Sequence, residues 1–114
     1  MSKVHINDID GTIVKSDSRY VVEDNTLLNN LVLSSTQLEP NKSTNGHSHP
    51  GQEEVYYITH GSGNMQLDDD IISVNEGDIV LIEDGVFHKV ESGQNGICFI
   101  CVFDGNRSTK ESNN

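Results

Sequence analysis

Short β-branched and aromatic runs dominate the chain after residue 54, with turn signals about every 8 to 12 residues between them. Residues 55–59 (Val-Tyr-Tyr-Ile-Thr) form one such run and end at Gly61-Ser62-Gly63. That glycine pair lacks the third glycine and the helix of a dinucleotide loop, so it reads as a hairpin connection. Residues 64–67 and 71–74 flank Asp68-Asp69-Asp70, a hairpin turn. Asn75-Glu76-Gly77-Asp78 turns, 79–82 is apolar, Glu83-Asp84-Gly85 turns, and 86–90 alternates. A turn over 92–96 precedes a last apolar strand over 97–103. This pattern predicts an all-β fold, a sandwich or a small barrel.

The first third is less patterned. Residues 3–6 and 12–14 read as short strands, and Leu31–Leu38 as a longer one. A helical turn over 26–33, capped near Asn25 or Thr26, is the competing reading. Val32, Thr36 and the Ser34-Ser35 pair are poor helix choices, and Pro40 follows. Residues 1–105 are expected to form one domain and 106–114 a frayed polar tail.

Chain length and charge narrow the function. One domain of 114 residues buries a small core, built here from Val, Ile and Leu without any Trp. The net charge of −11 repels phosphate backbones and anionic lipid, so neither nucleic acid nor a membrane surface is an expected partner. No apolar run reaches the roughly 18 residues of a membrane span, and no secretory signal opens the chain. Cys98 and Cys101 would point to opposite faces of a strand, about 10 Å apart, too far to bridge. They read as small core residues, and free thiols fit a cytoplasmic protein.

The chemistry-bearing residues concentrate in one segment. His47 and His49 alternate, so on an extended chain both imidazoles share a face. Glu54 has the wrong parity for a continuous strand, but Pro50-Gly51 supplies a break that resets it. Glu54, Tyr56 and Ile58 then share a face of the next strand. His88 leads out of the Glu83-Asp84-Gly85 turn, and it converges with the others if its strand lies beside His47.

These residues resemble the two motifs of the cupin family, small jelly-roll barrels. The first, G-x5-H-x-H-x3,4-E-x6-G, is matched by His47, His49, Glu54 and Gly61, with Asn41 in place of the leading Gly. The second, G-x5-P-x-G-x2-H-x3-N, is matched by Gly77, Gly85 and His88, with Glu83 for the Pro and Ser92 for the Asn. The resemblance covers residues 31–103. It implies a jelly-roll β-barrel and carries His47, His49, Glu54 and His88 over as ligands of one divalent metal. Glu53 fits the shorter spacing and ranks second, because Gly61 then falls out of register. Three imidazoles and a carboxylate suit Fe, Mn, Ni, Cu or Zn.

Three functions follow from the resemblance. The first is an isomerase or epimerase acting on a small oxygen-rich molecule, a sugar or a hydroxy or keto acid. The ion would polarise a carbonyl while Glu54, Tyr56 or water moves the proton. Parity puts Tyr56 and His60 on the Glu54 face as catalytic candidates. The second is a non-haem dioxygenase on the same ligands, and the third a non-catalytic metal- or ligand-binding cupin. A homodimer is expected under all three, through a covered edge strand.

Other motifs read as structure. Asp8-Ile9-Asp10-Gly11-Thr12 resembles the nucleophile motif of haloacid-dehalogenase phosphatases, but the α/β domain that chemistry needs does not follow. It reads as an acidic turn. Asp68-Asp69-Asp70 reads as a solvated turn rather than a calcium site. Arg19, Lys42 and Lys89 are the cations available to an anionic ligand, with Lys89 pointing away from His88.

Overall fold

A computed structural model describes residues 3–105. Among them there is no helix, and none therefore long and apolar enough to cross a membrane. Seven strands make up the domain: β1 (Thr12–Ser16), β2 (Tyr20–Asn25), β3 (Leu31–Leu38), β4 (Glu54–Leu67), β5 (Asp70–Asn75), β6 (Ile79–Ile82) and β7 (His88–Asp104). Their order is β1-β2-β3-β7-β4-β5, with β6 also paired to β4 and every pairing antiparallel. The fold is all-β, as the turn spacing predicts. The expected 106–114 tail lies outside the described residues.

The two long strands give the molecule its shape. The first half of β4 pairs with the end of β7 and with β6, and its second half pairs with the start of β7 and with β5. Register shifts between Ile58 and His60 and between Gly61 and Gly63 bend the pair where one layer becomes the other. Gly61 sits at φ 75°, and a Cβ there would lie 2.2 Å from the Gly96 carbonyl oxygen. A Cβ on Gly63 would lie 2.0 Å from the Glu91 oxygen. Gly61-Ser62-Gly63 is therefore a bulged bend inside β4, not a hairpin connection. The expected turn at 92–96 is likewise strand, because β7 runs through it. In both places glycines let two backbones approach closely, and the same residues mark turns elsewhere.

Inner faces follow the period of two. Val22, Thr36, Phe99 and Ile58 stand in one row across β2, β3, β7 and β4, all fully buried. Tyr56 stacks on Phe99 at 5.0 Å between ring centres. Leu31–Leu38 is a strand with the expected bounds. Residues 3–6 are not: His5 and Asp8 close a tight turn instead. The strand β2 has a clear signal in Tyr20-Val21-Val22, yet it was not among the expected elements.

Candidate metal centre

The His47 segment is aligned by backbone pairing rather than by a regular strand. Ser43 pairs with Glu91 and His47 with His88, antiparallel to the start of β7. His47 and His88 exchange both backbone bonds, N–H to O=C at 3.0 and 2.9 Å. Directly opposed residues of such a pair present their side chains to the same face. Their rings accordingly lie 4.2 Å apart between centres. Ahead of this segment the chain turns at Asn41, whose φ is 57°. Asn is among the few non-glycine residues that accept this conformation, which accounts for its standing where the cupin motif has Gly. The Ser92 hydroxyl, in the motif's Asn position, accepts from Lys42 N–H at 3.0 Å and donates to the Glu39 carbonyl. It ties the incoming loop to β7.

After His49 the chain turns through Pro50-Gly51, with Gly51 at φ 85° and Gln52 N–H donating to the His49 carbonyl at 3.1 Å. The Asp84 carboxylate accepts from Gly51 N–H at 2.7 Å, and the Gln52 amide donates to the Asp104 carbonyl. These bonds set the phase on which β4 begins. Glu54 enters with its side chain buried, and Glu53 is left exposed. Parity reset by the Pro-Gly break thus separates the two carboxylates as expected.

Donor atoms of His47, His49 and Glu54 lie within 4.8 Å of one another. His88 lies outside that group but approaches its carboxylate: its Nε2 is 3.5 Å from Glu54 Oε1, and His47 Nε2 is 3.6 Å from the same oxygen. These separations exceed a hydrogen bond. They approach the ~3–3.4 Å between two donors each about 2.1 Å from one ion. His88 Nδ1 lies 3.0 Å from the Val86 carbonyl, an acceptor only, so Nδ1 carries the proton. Nε2 of a neutral ring then has a lone pair to offer, the arrangement that orients metal-binding imidazoles. Both His88 Nε2 and His47 Nδ1 are buried without a hydrogen-bond partner. For His88 Nε2, which faces Glu54, that state carries a desolvation cost that a bound ion would offset. The donor set therefore fits a divalent ion of the transition series.

Burial alone would push the Glu54 carboxyl up from its ordinary range, but the His47 and His88 rings beside it outweigh that and hold it at about 2. Tyr56 lies one inward position further along β4, its ring edge-on to His88 at 5.6 Å. His60 was expected on the same face and is not there. It is exposed, with Nδ1 3.3 Å from the Thr59 hydroxyl, because the register shift after Ile58 breaks the alternation. Arg19 is committed to Asp17 at 2.9 Å and lies over the Tyr20 ring. Cys98 and Cys101 are free, and burial, with Glu39 nearby, pushes the Cys98 thiol up.

Two features near the centre were not expected. Asp24, on β2, is only 5% exposed and belongs to an inner-face row with Ser34, Cys101 and Tyr56. Its parity became readable only once β2 was recognised. A cleft of about 600 Å³ also reaches Glu54, bordered by Glu53, Asp84 and Asp104. Among the described residues the buried carboxylates and imidazoles are those of Asp24, Glu54, His47 and His88, and no Lys or Arg is buried.

Comparison with known proteins agrees with this architecture. The sequence profile of the cupin domain matches residues 35–103. Uncharacterized protein MJ1618 of Methanocaldococcus jannaschii is 41% identical over 46 residues, 40% of this chain and 37% of that protein. KdgF from a Halomonas species superposes with a TM-score of 0.76 at 12% identity, over 88% of this chain and 91% of that one. Oxalate decarboxylase from Bacillus subtilis gives 0.79 at 23% identity, over 92% of this chain but only 30% of that longer protein. An RmlC-like cupin from Shewanella frigidimarina gives 0.75 at 17% identity, over 87% of each chain. With its fold, its two motifs and a profile match across most of its length, the chain belongs to the cupin family.

Proposed function

We propose that this cupin binds one divalent transition-metal ion through His47, His49, Glu54 and His88. On that ion it would isomerise or epimerise a small, neutral, oxygen-rich molecule of the sugar type. The observation that carries the metal assignment is the buried, unpartnered His88 Nε2 3.5 Å from the buried Glu54 carboxylate, with His47 Nε2 3.6 Å from the same oxygen. The ion, when bound, would supply Lewis-acid polarisation of a substrate oxygen. This chain's own residues do the rest. Val86 holds His88 in one tautomer, and Gln52 and Asp84 fix the turn that delivers Glu54. Tyr56, edge-on to His88, is the group for proton movement on the inner wall, while exposed His60 is left out.

Charge favours a neutral sugar over an acid. Asp24 is buried in the interior, and no Lys or Arg is buried among the described residues to meet an anion. Manganese is one candidate ion, since Bacillus subtilis oxalate decarboxylase has Mn(II) centres. The free thiols support a reducing, cytoplasmic location.

Elemental analysis of protein purified without added metal tests the reading. About one ion per chain is expected in the wild type and in Glu53→Gln, with loss in His47→Ala and in His88→Ala. Undiminished metal in either histidine variant removes that residue from the ligand set. Oxygen uptake by Fe(II)-loaded protein would instead assign it to the dioxygenases.

A further inference from the structure

The segment that carries His47 changes face just before it reaches the centre. Ser43 pairs with Glu91 and His47 with His88, so four steps along the segment match three along β7. The extra residue is taken up at Asn45-Gly46, which forms a β-bulge. This bulge decides which way His47 points. Thr44 is inward and buried, with its N–H on the Val90 carbonyl at 2.9 Å. On an unbroken strand the next inward positions would be Gly46 and Ser48, and His47 and His49 would face away. With the extra residue His47 opposes His88, and both are buried. Gly46 makes the bulge possible: its φ is 83°, and a Cβ there would lie 2.5 Å from the Phe87 ring.

Backbone bonds hold the segment from one side. The N–H groups of Asn41, Thr44 and His47 donate to the carbonyls of Gly93, Val90 and His88 on β7. On the other side stands Arg19, from the turn between β1 and β2. Its Nη1 donates to Asn45 Oδ1 at 2.6 Å and to the Ser43 carbonyl at 3.5 Å, one bond on the bulge and one just before it. The bonds that flank the Ser43–Glu91 pair run through Lys42 and Thr44, so the Ser43 carbonyl itself points away from β7, toward the guanidinium. That guanidinium is held in one orientation. The Asp17 carboxylate accepts from Nη2 at 2.9 Å and from Nε at 3.3 Å, and the group lies over the buried Tyr20 ring, 4.6 Å from its centre. With Nε and Nη2 so engaged, Nη1 is directed at the segment.

We infer that Arg19 is a positioning residue of the metal centre: it clamps the Asn45-Gly46 bulge and so keeps His47 and His49 turned inward. The inference rests on the four-ligand reading of the centre. Arg19 precedes residues 35–103, the span of the cupin profile, and belongs to neither motif. The competing account is a surface ion pair with Asp17 that contributes little. The sign of one effect separates the two. A guanidinium near a cation site repels the cation, so removing its charge alone would tighten metal binding. Loss of the clamp does the reverse. The bulge is then free to slip past His47, and that one-residue slip carries both imidazoles off the centre. In metal-free protein the same loss loosens the His47–His88 backbone pair.

Calorimetric titration of chelator-treated protein with Mn(II), and separately with Zn(II), reads the affinity. Arg19→Met keeps the aliphatic stem and removes the guanidinium, and Asn45→Ala removes its acceptor. Each should weaken binding by about tenfold or more, the usual cost of losing a group that orients a ligand. The double variant should lose no more than either single one, because both cut the same contact. Lys42→Met removes a charge from the same segment without touching the clamp and should bind equally or more tightly. Hydrogen exchange of the metal-free protein is a second readout, independent of any ion. The His47 and His88 N–H groups should exchange faster in Arg19→Met and in Asn45→Ala, while Ile58 N–H, bonded to the Asp78 carbonyl, should not change. Asn45 is exposed, so its truncation tests the clamp even where Arg19→Met folds poorly. Unchanged exchange at His47 and His88 overturns the clamp. Equal or tighter metal binding in a folded variant overturns the positioning role. A wild type that takes up neither ion overturns the four-ligand reading and the positioning role with it, and the exchange rates then judge the clamp separately.

Discussion

Replacing Glu54 by Gln keeps the size and shape of the side chain and removes its charge from between two imidazoles 3.5 and 3.6 Å away. The structure sets the magnitude for the metal-free protein. In the fold the carboxyl is held at about 2, against an ordinary value of 4.5. A folded value below the unfolded one means that ionised Glu54 stabilises the fold. That contribution is fully present above pH 4.5 and is lost as pH falls through 2. Each unit is worth 1.36 kcal/mol, so the contribution rises from under half a kcal/mol near pH 2 to about 3 kcal/mol near pH 5. Glu54 is only 5% exposed, so solvent screening takes little from this figure. The assay is urea denaturation of chelator-treated wild type and Glu54→Gln at half-unit steps from pH 2 to 5.5. The other carboxylates titrate in both proteins and cancel in the difference. The two stabilities should converge at the acid end and separate by about 3 kcal/mol at pH 5, roughly 10 °C in melting temperature. Parallel profiles, with a difference independent of pH, would refute the reasoning, because a packing defect alone carries no titration.

Further outcomes follow from other parts of the molecule. Gly61→Ala should destabilise the fold by about 3 kcal/mol or more, since its Cβ would meet the Gly96 oxygen at 2.2 Å. Gly51→Ala, at φ 85° but with nothing within 4 Å, should cost only about 1 kcal/mol; denaturant midpoints compare the two. Phe99→Ala removes the ring stacked on Tyr56 and should cost about 3–5 kcal/mol by the same measurement. Chelation should lower the melting temperature of the wild type, and readdition of Mn(II) or Zn(II) should restore it; equal melting curves would argue against an ion at the centre. In ligand-induced thermal shifts of metal-loaded protein, free pentoses and hexoses should raise the melting temperature where dicarboxylates do not. Asp24→Asn should weaken that discrimination.

Much of the candidate centre was legible because it is local. His47, His49 and Glu54 fall within eight residues, and the Pro50-Gly51 break resolves their parity, with Glu53 left outside. His88 was reachable only through the second motif, since pairing between its strand and the His47 segment is a long-range event. His60 shows where alternation fails: a bulge after Ile58 changes the face of everything beyond it, and nothing at Thr59-His60 announces it. Asp24 stayed hidden because β2 had not been recognised.

The alternation of β-branched residues and turns determined an all-β chain and the identities of the inward residues near the centre, because strand parity is a property of the backbone itself. Tertiary structure decided what glycines mean. Gly61 and Gly63 look like a connection, yet they bend a strand of fourteen residues, because another backbone passes within contact distance. It also decided which exposed apolar residues belong together. Leu28, Leu81 and Val102 are scattered in sequence and become one surface only when four strands lie side by side.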